Sequence, residues 1–177
     1  MKIQFQEPAG DFTDGIEVIH RYHQSFFTHG AQLLALAQAI DQAGLNEERA
    51  LRLAELYVFY RQAGPLHHLD EERVLFPLVV GQDLLLDGML ERLALDHEEI
   101  EEAWRVLVIA VHEVLERRQV PEKFLEQAAR FERLQREHLI RENEDFLPRV
   151  EGLLASSQRR RAAAAMASMR GLKPGLT

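Results

Sequence analysis

The sequence predicts an all-α fold, an up-down-up-down antiparallel four-helix bundle. Three observations carry the prediction. Apolar residues recur every three or four positions along four long stretches, no alternating strand pattern occurs, and short breaks marked by Gly, Pro, Asn or Asp separate the stretches. Short connections make sequential helices antiparallel neighbours.

The first stretch spans about residues 14–43, with Ile16, Ile19, His23, Phe26, Gly30, Leu33, Ala37 and Ile40 on one stripe, and Gly44 ends it. Asn46 is a natural cap for a second helix, whose stripe passes Leu53, Tyr57, Gly64, His67, Glu71, Val74 and Leu78 before stopping near Gly81. Gly64-Pro65 and Pro77 should kink or loosen it, because proline cannot donate to the helical ladder. A third helix, expected after the 83–88 region, carries Leu93, His97, Ile100, Trp104, Leu107, Val111 and Val114. Pro121 suits the first turn of a fourth, with Phe124, Ala128, Phe131, Leu134, His138, Glu142 and Phe146 inward. Residues 1–155 thus form one bundle domain, with an extended arm before Asp14 packed on it.

Composition narrows the chemistry. The 177 residues include eight His and no Cys, which excludes disulfides, thiolate zinc sites and cysteine nucleophiles. Any metal is held by nitrogen and oxygen. The formal charge is −8, and nothing after Glu151 is acidic, so the body is more acidic still. An acidic surface argues against nucleic acid as a partner. Residues 156–177, with Arg159, Arg160, Arg161, Arg170 and Lys173, read as a basic Ala/Arg-rich tail, solvated or loosely docked. No apolar run approaches the roughly 20 residues of a membrane span, and the N-terminal residues lack a signal-peptide apolar core. A cytoplasmic protein without a membrane partner is expected.

Each inner stripe contains a histidine, and two of them add a carboxylate four residues on, His67 with Glu71 and His138 with Glu142. Residues i and i+4 stack on a helix face, so each pair presents a nitrogen and an oxygen to one point. Burying an ionised Glu costs several kcal/mol or more without a compensating positive group, and no Lys lies on those stripes. A bound cation resolves this. At a rise of roughly 1.5 Å per residue, His23, His67, Glu71, His97, His138 and Glu142 fall in one layer, roughly 14–25 Å from one end of the bundle. The segment His67-x3-Glu71-x4-Phe76-Pro77 recurs as His138-x3-Glu142-x4-Leu147-Pro148, giving a pseudo-twofold pair of hairpins. Two related half-sites suit two metal ions bridged by both carboxylates. His20 competes with His23 through Glu17-x2-His20, but His23 lies on the apolar stripe. His68 sits about 100° round from His67, at a bundle seam or behind a ligand. Glu101 reads as partly exposed, His29 and His112 as surface or interhelical, and Tyr57, Tyr60 and Trp104 as packing.

Residues 64–77, GPLHHLDEERVLFP, resemble the bacterial hemerythrin-like (HHE cation-binding) family, as do Leu95-Asp96-His97 followed by Trp104, and His138 to Glu142 leading to Leu147-Pro148. The resemblance covers about residues 5–150. It implies a four-helix bundle around a non-haem di-iron centre, with His23, His67, Glu71, His97, His138 and Glu142 as metal ligands. Oxygen-carrying members have a second His in the third helix, four residues after the first, and an Asp five residues after the fourth-helix His; here those places hold Glu101 and Asn143. The set is more similar to members associated with nitrosative stress and iron-centre repair, which usually add a Cys-containing N-terminal segment that this chain lacks.

Four imidazoles and two carboxylates suit iron, manganese or zinc, not Cu(I). Two irons are the expected cofactor, with the oxo or hydroxo bridge that the resemblance implies. The leading expectation is a protein that binds or senses O2 or NO, or stores iron. The alternative is a di-iron enzyme acting on NO or peroxide, or an iron donor for damaged iron-sulfur or di-iron centres. A structural bundle with a vestigial site is the third reading. A homo-oligomer or a redox partner is compatible with each.

Overall fold

The computed structural model describes residues 3–172, most of them helical and none in a strand. α1 spans Gly15–Ala43, α2 Glu47–Asp70, α3 Phe76–Val79, α4 Leu84–Arg117, α5 Phe124–Arg141, α6 Leu147–Leu153 and α7 Ser156–Met169. Two π-helical turns, Glu71–Leu75 and Glu142–Phe146, join α2 to α3 and α5 to α6 without a break. The starts are capped as the side-chain chemistry requires. Asp14 accepts from the backbone N–H of Ile16 and Glu17, Asn46 from Arg49 and Asp83 from Leu86. Gly44 closes α1 at φ 75°, a conformation that costs a side-chain-bearing residue.

α1 packs on α2 and α5, and α4 packs on the same two helices, so these four enclose the core. Tyr22, Phe26, Leu53, Tyr60, Leu93, Leu107 and Phe131 are all buried there. The N-terminal arm lies against this body, with Phe5 near Phe59 and Ala9 fully buried.

Three expectations change. The third helix begins at Leu84, because Asp83 caps it and Gly88 is accommodated inside it. Pro121 lies before the fourth helix, which starts at Phe124. The largest change is the tail: residues 156–169 form a helix docked on α1, with Ala162, Ala163, Met166 and Ala167 buried. Its alanines permit the approach. A Cβ on Gly15 would stand 2.7 Å from Ala162 Cβ, so a side chain at residue 15 would push α1 and α7 apart. Lys173 lies outside the described residues.

Candidate metal centre

The structure brings His23, His67, Glu71, His97, His138 and Glu142 together in the core, each at most 1% exposed. Their donor atoms form two groups of four, each with all atoms within 4.8 Å of one another. His23, His67, Glu71 and Glu142 form one, and Glu71, His97, His138 and Glu142 the other. Both carboxylates belong to both groups. Glu142 Oε2 lies 3.2 Å from His23 Nε2 and 3.1 Å from His138 Nε2; Glu71 Oε2 lies 3.2 Å from His97 Nε2 and 3.6 Å from His67 Nε2.

The π turns explain how the carboxylates reach this position. Each begins at the shared glutamate, and its closing bond runs from Phe76 N–H to Glu71 C=O, or from Leu147 N–H to Glu142 C=O. The following residue is Pro77 or Pro148, which has no N–H to restore the α ladder. The wider turn therefore starts at each of the two inward glutamates, and π bulges are frequent at functional sites. Proline 65, by contrast, lies inside α2 without ending it.

Groups behind the imidazoles orient them. Asn143 Oδ1 lies 2.7 Å from His23 Nδ1 and Glu72 Oε1 2.7 Å from His97 Nδ1. Asp96 Oδ2 stands 3.5 Å from His138 Nδ1, and Asp96 is itself held by Arg92 and Arg141. An acceptor at Nδ1 fixes the tautomer with its proton there and leaves the Nε2 lone pair facing the centre.

The electrostatics couple the buried carboxylates to the imidazoles around them. Burial alone would lower the His23 pKa, but the carboxylates of Glu142 and Glu71 push it up to about 10. His97 is similarly pushed up to about 9 against its burial by Glu71 and Glu72, and His138 to about 9 by Glu142 and Asp96. Burial dominates at His67 and holds it well below the ordinary histidine value. Burial works against the Glu71 charge, yet the surrounding imidazoles hold its carboxyl well below the usual range.

Hydrogen bonds do not satisfy the site. His23 Nε2, both nitrogens of His67, His97 Nε2, His138 Nε2 and all four oxygens of Glu71 and Glu142 are buried without a hydrogen-bond partner. Each such orphan costs about 1–3 kcal/mol. A cation with nitrogen and oxygen ligands would satisfy these atoms together, so the residues present fit a metal.

The competing residues fall elsewhere. His20 pairs with Glu151 near the surface, and Glu101 turns outward to His68 at 3.1 Å. His68 is buried and stacks on His97, ring centroids 3.9 Å apart. His29 stacks on Phe59 and His112 meets Tyr57, both away from the centre. Sequence reasoning missed the supporting roles of Glu72 and Asp96. Their signal was local: charged residues beside Glu71 and His97 in segments otherwise headed for the core.

A helical bundle around a buried, carboxylate-sharing histidine site defines a class of cation-binding proteins. The family model for the hemerythrin HHE cation binding domain matches residues 14–150. This chain belongs to that family. It is also 25% identical over 126 residues to an uncharacterized protein of Haemophilus influenzae, covering 71% of this chain and 73% of that protein. Among the described residues no helix is long and apolar enough to cross a membrane.

Proposed function

We propose that this chain is a non-haem di-iron protein that binds or senses O2 or NO at a four-His, two-Glu centre. The observation that carries the reading is the pair of four-donor groups that share both carboxylates, with every inward-facing donor atom left without a hydrogen-bond partner. His23 and His67 would hold one ion, His97 and His138 the other, and Glu71 and Glu142 both. Histidine and carboxylate without thiolate suit iron, with manganese or zinc as chemically allowed substitutes. Bound iron would supply open coordination positions for a diatomic ligand.

The protein residues then do three things. Asn143, Glu72 and Asp96 fix imidazole orientation. Phe26, Leu93, Ile100 and Phe131, all buried, exclude bulk water. A side cavity of about 300 Å³, lined by Tyr60, Ile100, Trp104, Phe131, Glu101 and His68, would bring a small ligand beside the ring that stacks on His97.

An up-down-up-down arrangement of α1, α2, α4 and α5 is part of this reading. Its support is the pairing of rising with falling residue numbers. Tyr22 meets His67 and His29 meets Phe59; His68 meets His97 and Tyr57 meets Trp104; Trp104 meets Phe131 and His97 meets His138; His23 meets Asn143 and Gly30 approaches Glu132.

One observation favours the enzymatic alternative, turnover of NO or peroxide. The third helix offers the centre a single imidazole, His97, because position 101 is a Glu and not a second His, so two carboxylates stand beside only four imidazoles, which favours higher oxidation states. Rapid mixing of the reduced, iron-loaded protein with O2, NO or peroxide, with excess reductant present, separates the readings. A reversible spectral change with a gas supports the binder, continued consumption of NO or peroxide supports the enzyme, and no response to any of the three contradicts both.

A further inference from the structure

The two halves of the centre are braced differently, and the difference involves the C-terminal helix. In the second half the residues preceding the donors pair directly: Asp96, before His97, binds Arg141, before Glu142. In the first half the equivalent residues are Tyr22, before His23, and Asp70, before Glu71. These have no positive charge between them. Arg170, just beyond α7, supplies it. Its guanidinium grips Asp70 with both ends, Nη1 to Oδ1 at 2.8 Å and Nη2 to Oδ2 at 2.6 Å. Its Nε donates to Glu7 at 2.9 Å and to the Tyr22 hydroxyl at 3.3 Å, and that hydroxyl donates to Glu7 at 2.9 Å.

This is no surface ion pair. The Arg170 side chain is 4% exposed and that of Asp70 is fully buried. The guanidinium carbon also lies 5.1 Å from the ring centroids of both Phe12 and Tyr22. The Tyr22 ring in turn lies nearly parallel to that of His67, 5.8 Å away. α7 itself packs on the π turn that starts at Glu71. Burying an ion pair rarely gains stability over apolar packing, whereas fixing one geometry is a use to which such pairs are put. A planar fork on a carboxylate sets direction as well as distance.

We propose that Arg170 is a positioning residue for the first half of the centre, and that α7, beyond the stretch matched to the family, thereby controls how fast metal leaves. Held through Asp70, the start of the π turn would keep Glu71 aimed at the donors of both groups; held through Tyr22, the stacked His67 ring would keep its direction. Without Arg170, Asp70 is a buried carboxylate with no partner beside Glu71, and the turn must rearrange to expose it. The inference rests on the metal-binding reading.

The test is metal release from the iron-loaded full chain to an excess of ferrous chelator, followed alongside thermal unfolding and the visible spectrum. Supporting groups behind metal ligands are worth roughly ten- to a hundredfold in affinity. Arg170→Gln should release iron faster by about that factor. Arg159→Gln is the control: it loosens α7 from Asp14, where Arg159 binds at 2.8 Å, without touching Asp70, and should release at close to the wild-type rate. Arg170→Lys keeps the charge but not the fork, so it should recover thermal stability without recovering the release rate. Tyr22→Phe, which deletes only a hydroxyl, should accelerate release by a smaller factor, and it decides the matter if Arg170→Gln does not fold. Wild-type release from Arg170→Gln, equal acceleration by Arg159→Gln, or, if that variant is unfolded, an unchanged rate in Tyr22→Phe would overturn the proposal. A wild-type chain that takes up no metal overturns the metal-binding reading itself, which release from the variants cannot do.

Discussion

Glu142→Gln should remove both metal ions, not one. The same oxygen, Oε2, lies 3.2 Å from His23 Nε2 in one donor group and 3.1 Å from His138 Nε2 in the other. Glutamine keeps the volume and shape but loses the negative charge, so the metal-free fold should persist. A ligand present at a hundred times its dissociation constant stabilises the folded state by about 2.7 kcal/mol. For a chain of this length, each kcal/mol shifts the melting temperature by roughly 2–4 °C, so wild-type protein should gain about 5–11 °C per ion under that condition. The measurements are metal content after desalting and circular-dichroism melting with and without ferrous iron. Glu142→Gln should show neither bound metal nor a shift. His67→Ala, whose side chain serves only one group, should keep one ion and part of the shift. His112→Ala, which meets Tyr57 outside the centre, should keep both. A Glu142→Gln protein with two ions and the full shift would refute the shared-carboxylate reasoning.

The remaining predictions concern protons, orientation and packing. His23, His97 and His138 are held above the ordinary histidine value in the metal-free protein, so their stabilisation is complete below about pH 6.5 and is lost as pH rises through 9 to 10. Metal requires the neutral rings, so uptake at pH 7 should release protons, seen as a calorimetric heat that varies with buffer ionisation enthalpy, and loading should flatten the alkaline loss. Asn143→Ala leaves His23 Nδ1 without its acceptor and should weaken metal binding roughly ten- to a hundredfold in a competition titration, while Asn143→Asp should not. Gly15→Ala places a Cβ 2.7 Å from Ala162 Cβ and should cost about 1–3 kcal/mol by denaturant unfolding.

Much of this was legible because the helical period and the spacing of the inward His and Glu donors coincide. Residues 14–43 read as one helix and fold as one from Gly15 to Ala43, and the stripes that carry Phe26, Leu93 and Phe131 also carry the histidines. The six inward donors could be placed at one depth because α-helical rise is nearly constant. What stayed hidden depends on departures from that regularity or on long-range partners. The π turns at Glu71 and Glu142 change the local period over five residues each, too briefly to disturb a stripe. Asp96 and Glu72 sit off the inward stripes, since a residue that braces a ligand must stand beside it. Arg170 meets Asp70 a hundred positions away, and an Ala/Arg-rich segment reads as solvated because alanine gives little amphipathic contrast; α7 buries three alanines and Met166, and approaches α1 closely at Gly15.

The most direct measurement is the metal content and visible spectrum of the wild-type chain purified after expression in iron-supplemented medium. The account predicts about two irons per chain, one for each four-donor group, with the charge-transfer absorption of a bridged di-iron centre. A metal-free protein whose stability does not change on adding ferrous iron would contradict it.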